Sequence, residues 1–180
     1  MKKAVFLFAS LFLCLTSAAF GQDAYQVLDY QVNFFIENAG ITVEGNMEGL
    51  EADIQFHARK PSKSSVNASL DPTTIDTGIR IRDNHLRRAD YFDVKQYPEI
   101  TLKSTGFEKT GKDQAVGTFV LTIKGISKKI EIPVQYQEEG ENLIFSASFT
   151  INRLDFGLGE ESIILSDDVE VKLIAQLHSK

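Results

Sequence analysis

From Val27 onward the chain alternates apolar and polar residues at period two, the signature of half-buried strands. Leu28, Tyr30, Val32, Phe34 and Ile36 fall on one face of the first segment, and Asn38-Ala39-Gly40 reads as a turn. Ile41, Val43, Gly45 and Met47 alternate against Thr42, Glu44, Asn46 and Glu48, and Ala52, Ile54, Phe56 and Ala58 repeat the pattern. Beyond the break at Pro61-Ser62-Lys63 come Val66, Ala68 and Leu70. Ile100, Leu102 and Ser104 resume it, and the stretch 106–112 reads as a polar hairpin loop. Ala115 to Ile123 is nearly all apolar, which predicts a strand covered on both sides, or one facing a cavity with a partner behind it. Ile130, Ile132, Val134 and Tyr136 follow, then Leu143, Phe145, Ala147, Phe149 and Ile151. A connection rich in Gly, Asp and Glu leads from Leu154 to Asp168, and Val169, Val171, Leu173, Ala175 and Leu177 complete the pattern. Eight or nine short strands without a long amphipathic helix make this an all-β chain.

One stretch breaks the alternation. Between Arg82 and Ile100 charges and aromatics crowd together, and Pro98 restarts extended chain. Asp83 reads as the cap of a short helix over about 83–91, with Arg87 and Arg88 in its last turns, where positive charge suits the helix dipole. A sheet of so many strands must manage its edges, and closure into a barrel removes them. The expected architecture is a closed antiparallel eight-stranded barrel with this helix capping one end. Such a barrel is wide enough for side chains to fill it or for one slim ligand. Small inward residues such as Gly45, Ala52, Ala68 and Ala147 fit an interior cavity and fit ordinary large–small packing equally.

Composition adds the setting. Lys2-Lys3, the apolar run from Ala4 to Leu15 and the ending Ala19-Phe20-Gly21 form a secretory leader, cleaved after Gly21. The apolar run is too short for a membrane span of about 20 residues. Cys14 follows Leu13 rather than a small residue, which disfavours a lipid anchor. Cleavage removes the chain's one cysteine and takes the formal charge from −6 to −8. The mature domain, residues 22–180, therefore has no disulfide and must be held by its core alone. Its acidic balance argues against a nucleic-acid footprint and against electrostatic docking on anionic lipid.

Several segments resemble the YceI-like, polyisoprenoid-binding family. They are Thr77-Gly78, Arg82-Asp83-Asn84-His85-Leu86, Asp90-Tyr91-Phe92-Asp93, Tyr97-Pro98-Glu99-Ile100 and Lys103-Ser104-Thr105. The strand pair Gly117 to Lys128 and the run Ile151-Asn152-Arg153-Leu154-Asp155-Phe156-Gly157-Leu158 continue the match in the same order over essentially the whole mature chain. The chain departs from the family pattern in its first strand, Asp29 to Phe35, which lacks a histidine, and in its short connection from Gly159 to Ser166. The resemblance implies a lipocalin-like barrel with a long apolar lipid in its pore, exported to the periplasm and often dimeric.

The candidate chemistry is sparse. His57, His85 and His178 have no metal-ligand spacing, so no zinc site is assigned. Gly106 to Lys112 nearly spells a phosphate-binding loop, but it ends in Asp113 and bridges two strands instead of opening a helix. With no nucleophile elbow and no cysteine after cleavage, the protein reads as a non-enzyme. Asp90, Asp93 and Asp155 beside Arg82, Arg87, Arg88 and Arg153 read as ion pairs that pin the cap to the barrel. The expected function is an exported binding protein that carries or stores a polyisoprenoid or similar amphiphile. A packed, ligand-free interaction or stress-protective module is the alternative. Expected pore and mouth residues are Phe34, Ile36, Leu86, Tyr91, Phe92, Phe149, Ile151 and Phe156, with Arg82, His85 and Arg153 as candidate head-group contacts. No catalytic or metal residue and no cofactor other than a bound polyisoprenoid or fatty-acid-like lipid is expected. The expected partner is an apolar lipid rather than nucleic acid, the chain is not membrane-spanning, and a homodimer is allowed.

Overall fold

A computed structural model describes residues 24–180; the leader expected over residues 1–21 lies outside them. Nine strands follow in chain order: β1 (Ala24–Asn38), β2 (Ile41–Met47), β3 (Glu51–Gln55), β4 (Ser65–Leu70), β5 (Ile100–Gly111), β6 (Gln114–Ile123), β7 (Ile126–Glu139), β8 (Asn142–Asn152) and β9 (Leu165–Ser179). Neighbours pair antiparallel, and β1 pairs with β9 along most of its length, which closes the sheet. On its other edge β1 pairs first with β3, through Ala24 and Tyr25, and then with β2, from Val32 to Asn38. β2 and β3 thus share one position, and the barrel has the eight strands expected.

The break between them is built rather than left open. Gly49 adopts φ +75°, and Asp71 lies so close that a Cβ there would meet its side chain at 2.8 Å. The Tyr30 hydroxyl accepts hydrogen bonds from the backbone N–H of Gly49 (2.8 Å) and of Leu50 (3.1 Å), replacing the interrupted ladder.

Two bulges change which residues face inward. A register shift between Val27 and Asp29 turns Leu28 outward, where it is exposed, and lets Tyr25 and Val27 point in. Strict alternation had placed Leu28 inside. A second shift, between Ser104 and Gly106, brings Phe107 into the core, so the expected loop over 106–112 is strand as far as Gly111. The turn there shrinks to Lys112-Asp113, with Asp113 at φ 57°. β6 alternates cleanly: Ala115, Gly117, Phe119, Leu121 and Ile123 are buried, while Val116 and Val120 on the outer face are half-buried.

The interior is divided in two. At one end Phe56 is fully buried, with its ring edge-on to Phe107, Tyr136 and Phe145 at centroid distances of 5.9, 4.9 and 4.6 Å. Leu143, Leu177 and Tyr25 complete this plug. At the other end a smaller cluster of Leu121, Ile123, Phe156 and Leu158 lies under the connections. There the chain from Ile75 to Tyr97 folds across the barrel and carries the single α-helix of the described residues, α1 (Arg80–Leu86). The helix starts three residues earlier than expected because Asp83 is not its cap. The Asp83 carboxylate is buried within the helix and turns back to accept from the Thr77 N–H (2.9 Å) and hydroxyl (2.5 Å).

Candidate functional site

Between the aromatic plug and the cap lies a cavity of about 450 Å³, within the size range of small-molecule sites. Cross-strand register stacks its wall in rungs. Ala147, Leu173, Val32 and Met47 are in register near the plug; Phe149, Val171, Phe34 and Gly45 come next; Ile151, Val169, Ile36 and Val43 are nearest the cap. Period-two alternation puts all of them on the inner face once the bulge in β1 has set its phase. Gly45 is required where it stands. A Cβ on it would lie 2.2 Å from Cζ of Phe34, directly opposite in β1, so the tip of the ring occupies the place a side chain would take.

Ile75, Thr77, Arg82, His85, Leu86, Tyr91 and Phe92 from the cap close the wall, together with Leu158 and Leu165 from the opposite connection. These two connections are joined to each other. The Gly159 N–H donates to the Asp90 carbonyl (2.8 Å), and Gly159, at φ +72°, lies against the Tyr91 ring so closely that a Cβ would meet it at 2.9 Å. The polar side chains of the wall are Asn38, Ser69, Thr77, Arg82, His85 and Arg153, with the Tyr91 phenol. Everything deeper is apolar.

The mouth cations are already engaged. Arg82 donates from Nε to the Thr77 hydroxyl and from Nη2 to the Thr77 carbonyl, both at 2.7 Å. Arg87 reaches the carbonyls of Thr73 (2.8 Å) and Ile75 (2.6 Å). Arg153 is 2% exposed, and its nitrogens donate to the carbonyls of Ser166 and Leu158, both at 2.9 Å, and to the Asp167 carboxylate at 2.8 Å. The expected arginine–aspartate pinning is therefore corrected. Arg82 and Arg87 hold the cap through backbone carbonyls, which a folded turn presents without desolvating a second charge, while Asp90 pairs with His85 (2.7 Å) and Asp155 with Lys128 (3.1 Å). Arg153→Met is expected to leave the buried Leu158 carbonyl and the half-buried Ser166 carbonyl without this donor and to cost about 3 kcal/mol. Thermal unfolding would measure the loss, and faster proteolysis within residues 157–166 would locate it.

His85 occupies the rim. Its Nε2 meets the Asp90 carboxylate, and its ring stands edge-on to Tyr91 at 5.0 Å. The His85 hydrogen bond holds the Asp90 carboxyl below the usual carboxylate range, with the charge of Arg88 contributing less. Because the folded value is depressed, this contact contributes at pH values above the ordinary aspartate range and is lost as pH falls through the lowered value. In a carboxyl-carbon NMR titration, Asp90 is expected to titrate below the ordinary aspartate range, and His85→Gln should move it upward.

Of the residues expected at the pore, Phe34, Ile36, Leu86, Tyr91, Phe92, Phe149 and Ile151 lie in the cavity wall, as do Arg82, His85 and Arg153. Phe156 does not. It is buried beneath the wall with Leu121 and Leu158, because the turn it belongs to, Arg153–Phe156, packs its aromatic ring under the barrel end. Sequence reading missed Met47, Leu102, Val169 and Val171, which alternation could have supplied, and Leu50, Leu158 and Leu165, which lie on or beside irregular connections with no periodic signal.

Comparison with known proteins matches residues 27–177 to the YceI-like domain model. A UPF0312 protein of Pseudomonas savastanoi pv. phaseolicola is 31% identical over 156 residues, covering 80% of this chain and 81% of its own. Among solved structures, BcnA of Burkholderia cenocepacia aligns with a TM-score of 0.79 at 24% identity, over 82% of this chain and 95% of that one. A polyisoprenoid binding domain from Saccharophagus degradans aligns with a TM-score of 0.69 at 14% identity, over 87% and 98%. At these identities the two structures establish a common fold.

Proposed function

The chain belongs to the YceI-like family, and on that premise we propose that it is an exported binding protein that encloses a long apolar lipid for carriage or storage. The observation that carries this reading is the apolar cavity of about 450 Å³ above a packed aromatic plug, with its polar groups confined to the capped end. The polyisoprenoid binding domain of Saccharophagus degradans, which shares the fold, points to an isoprenoid chain as the cargo.

Energetics supports such a ligand. Each buried CH₂ is worth about 0.8 kcal/mol against water, so one five-carbon isoprene unit contributes at most about 4 kcal/mol. A lipid's alternative surroundings are a membrane, where that term nearly cancels, so shape must supply the selectivity. Phe34, Phe149 and Ile151 limit the width of the pore, and the polar end of the ligand meets His85 and Tyr91 beneath the cap. In this reading the protein acts by binding rather than by catalysis, and Arg82 and Arg153 at the mouth serve the fold through protein acceptors. Export is read from the leader pattern of residues 1–21, and the periplasm is the destination that goes with this reading.

The test is lipid extraction and native mass spectrometry of protein purified without detergent, followed by titration with a fluorescent isoprenoid alcohol. Co-purified apolar lipid or saturable uptake of the probe is expected. A ligand-free protein that takes up no probe would overturn the proposal and favour a packed interaction module.

A further inference from the structure

Eight large apolar side chains stand exposed among the described residues, and their distribution is one-sided. Six of them, Ile41, Ile79, Ile81, Ile126, Ile163 and Ile164, lie at the cavity end of the barrel. Leu28 and Ile174 are on its flank, and the hairpins at the plugged end present Lys112, Asp113, Glu138, Glu139 and Glu141 instead. Ile81 is 82% exposed and Ile163 fully so.

The six come from separate connections that the fold gathers around the mouth. The Ala39 N–H donates to the Ile164 carbonyl (2.7 Å), which sets the turn before Ile41 beside Ile163 and Ile164. The bridge between Asn46 and Asp76 lays the chain leading to Ile79 and Ile81 along β2. Ile126 Cδ1 would lie 3.6 Å from a Cβ on Gly157, which puts its side chain beside the start of the connection that carries Ile163. Each keeps 40% or more of its surface exposed, and apolar side chains gathered at one end mark an interaction site where scattered ones do not.

We propose that this ring of isoleucines is a docking surface for a lipid bilayer, through which the cavity exchanges its ligand with the membrane. The inference rests on the binding function proposed above. The patch stands at the same end of the barrel as the polar rim of the cavity, and the ligand proposed above has the membrane as its other home. Its isoleucines stand on separate tips with exposed Arg80, Arg88, Glu160 and Glu161 among them. Those charges would be desolvated in a dry protein interface but remain hydrated at the level of lipid head groups. Their mixed signs, with a net acidic chain, make the docking apolar and independent of anionic lipid.

The experiment is flotation of the purified protein with phosphatidylcholine vesicles, with and without added phosphatidylglycerol, for the wild type and for I81S/I163S/I164S. None of the three positions lines the cavity, so lipid content by native mass spectrometry and the thermal midpoint should match the wild type. Expected is binding to neutral vesicles that added salt does not weaken, reduced about tenfold for each isoleucine removed. Release of a fluorescent isoprenoid alcohol to vesicles should slow in parallel. Binding that requires phosphatidylglycerol and fades with salt would overturn the proposal. So would a wild type that ignores vesicles but sediments as a dimer that the triple variant dissolves, since the rim would then cover a second copy. A protein that docks but holds no lipid would sink the binding function while leaving the docking surface standing, so the two failures are distinguishable.

Discussion

Phe56→Ala is expected to destabilise the protein by about 4 kcal/mol, the largest loss from any single side chain in the plug. Phe56 has no exposed surface and is the hub of the aromatic cluster, meeting Phe107, Tyr136 and Phe145 edge-on. Removing the ring costs its transfer free energy, three aromatic contacts and the void left behind. The rigid strands that hold the other three rings cannot close that void. For a domain of this length the thermal midpoint should fall by about 10 °C, measurable by calorimetry. Phe56→Leu, which retains most of the volume, should recover much of it. A loss below about 1 kcal/mol would show that the plug is loose and that the cavity extends through it.

Ala147→Trp is expected to abolish lipid binding while leaving the fold intact. Ala147 lies in register with Leu173 on β9 and Val134 on β7, one inward position above Phe145, at the floor of the cavity. Ala147 packs against the plug on one side and lines the cavity on the other, so a large side chain there projects into the cavity rather than wholly into packed core. It occupies the volume in which the far end of an apolar chain would lie. Displacing even one isoprene unit forfeits up to about 4 kcal/mol, or about three orders of magnitude in affinity from water. Titration with a fluorescent isoprenoid alcohol reads the change, and an unaltered thermal midpoint separates it from misfolding. Unchanged affinity would place the ligand outside the barrel.

Much of this was legible in the chain. Alternation at period two named the inner-face residues Val32, Phe34, Ile36, Phe149 and Ile151 correctly, because an extended backbone permits only two faces. It failed at Leu28 and at Phe107, where bulges insert one residue and reverse the phase. Nothing in a single strand's composition announces a bulge; the partner strand decides it. The cap misled in a similar way. Asp83 precedes a helical run and reads as its cap, yet its carboxylate is inside the helix and serves Thr77, six residues back. Arginines that seemed matched to nearby aspartates found backbone carbonyls instead, because turns project those carbonyls at fixed positions that the sequence does not display.

What the sequence determined by itself was the all-β class, the closed barrel and the interruption between Arg82 and Ile100 that became the cap. These follow from local periodicity and from the need to pair every strand edge. Whether the interior was full or hollow only the tertiary structure could decide. The same small and large inward residues fit both states, and the outcome depends on how strands meet across the barrel. Phe56, Phe107, Tyr136 and Phe145 converge at one end, while the ring tip of Phe34 sits over Gly45 toward the other, where the cavity lies. That space exists because side chains far apart in sequence share or miss one another in three dimensions, which no pattern along one strand can record.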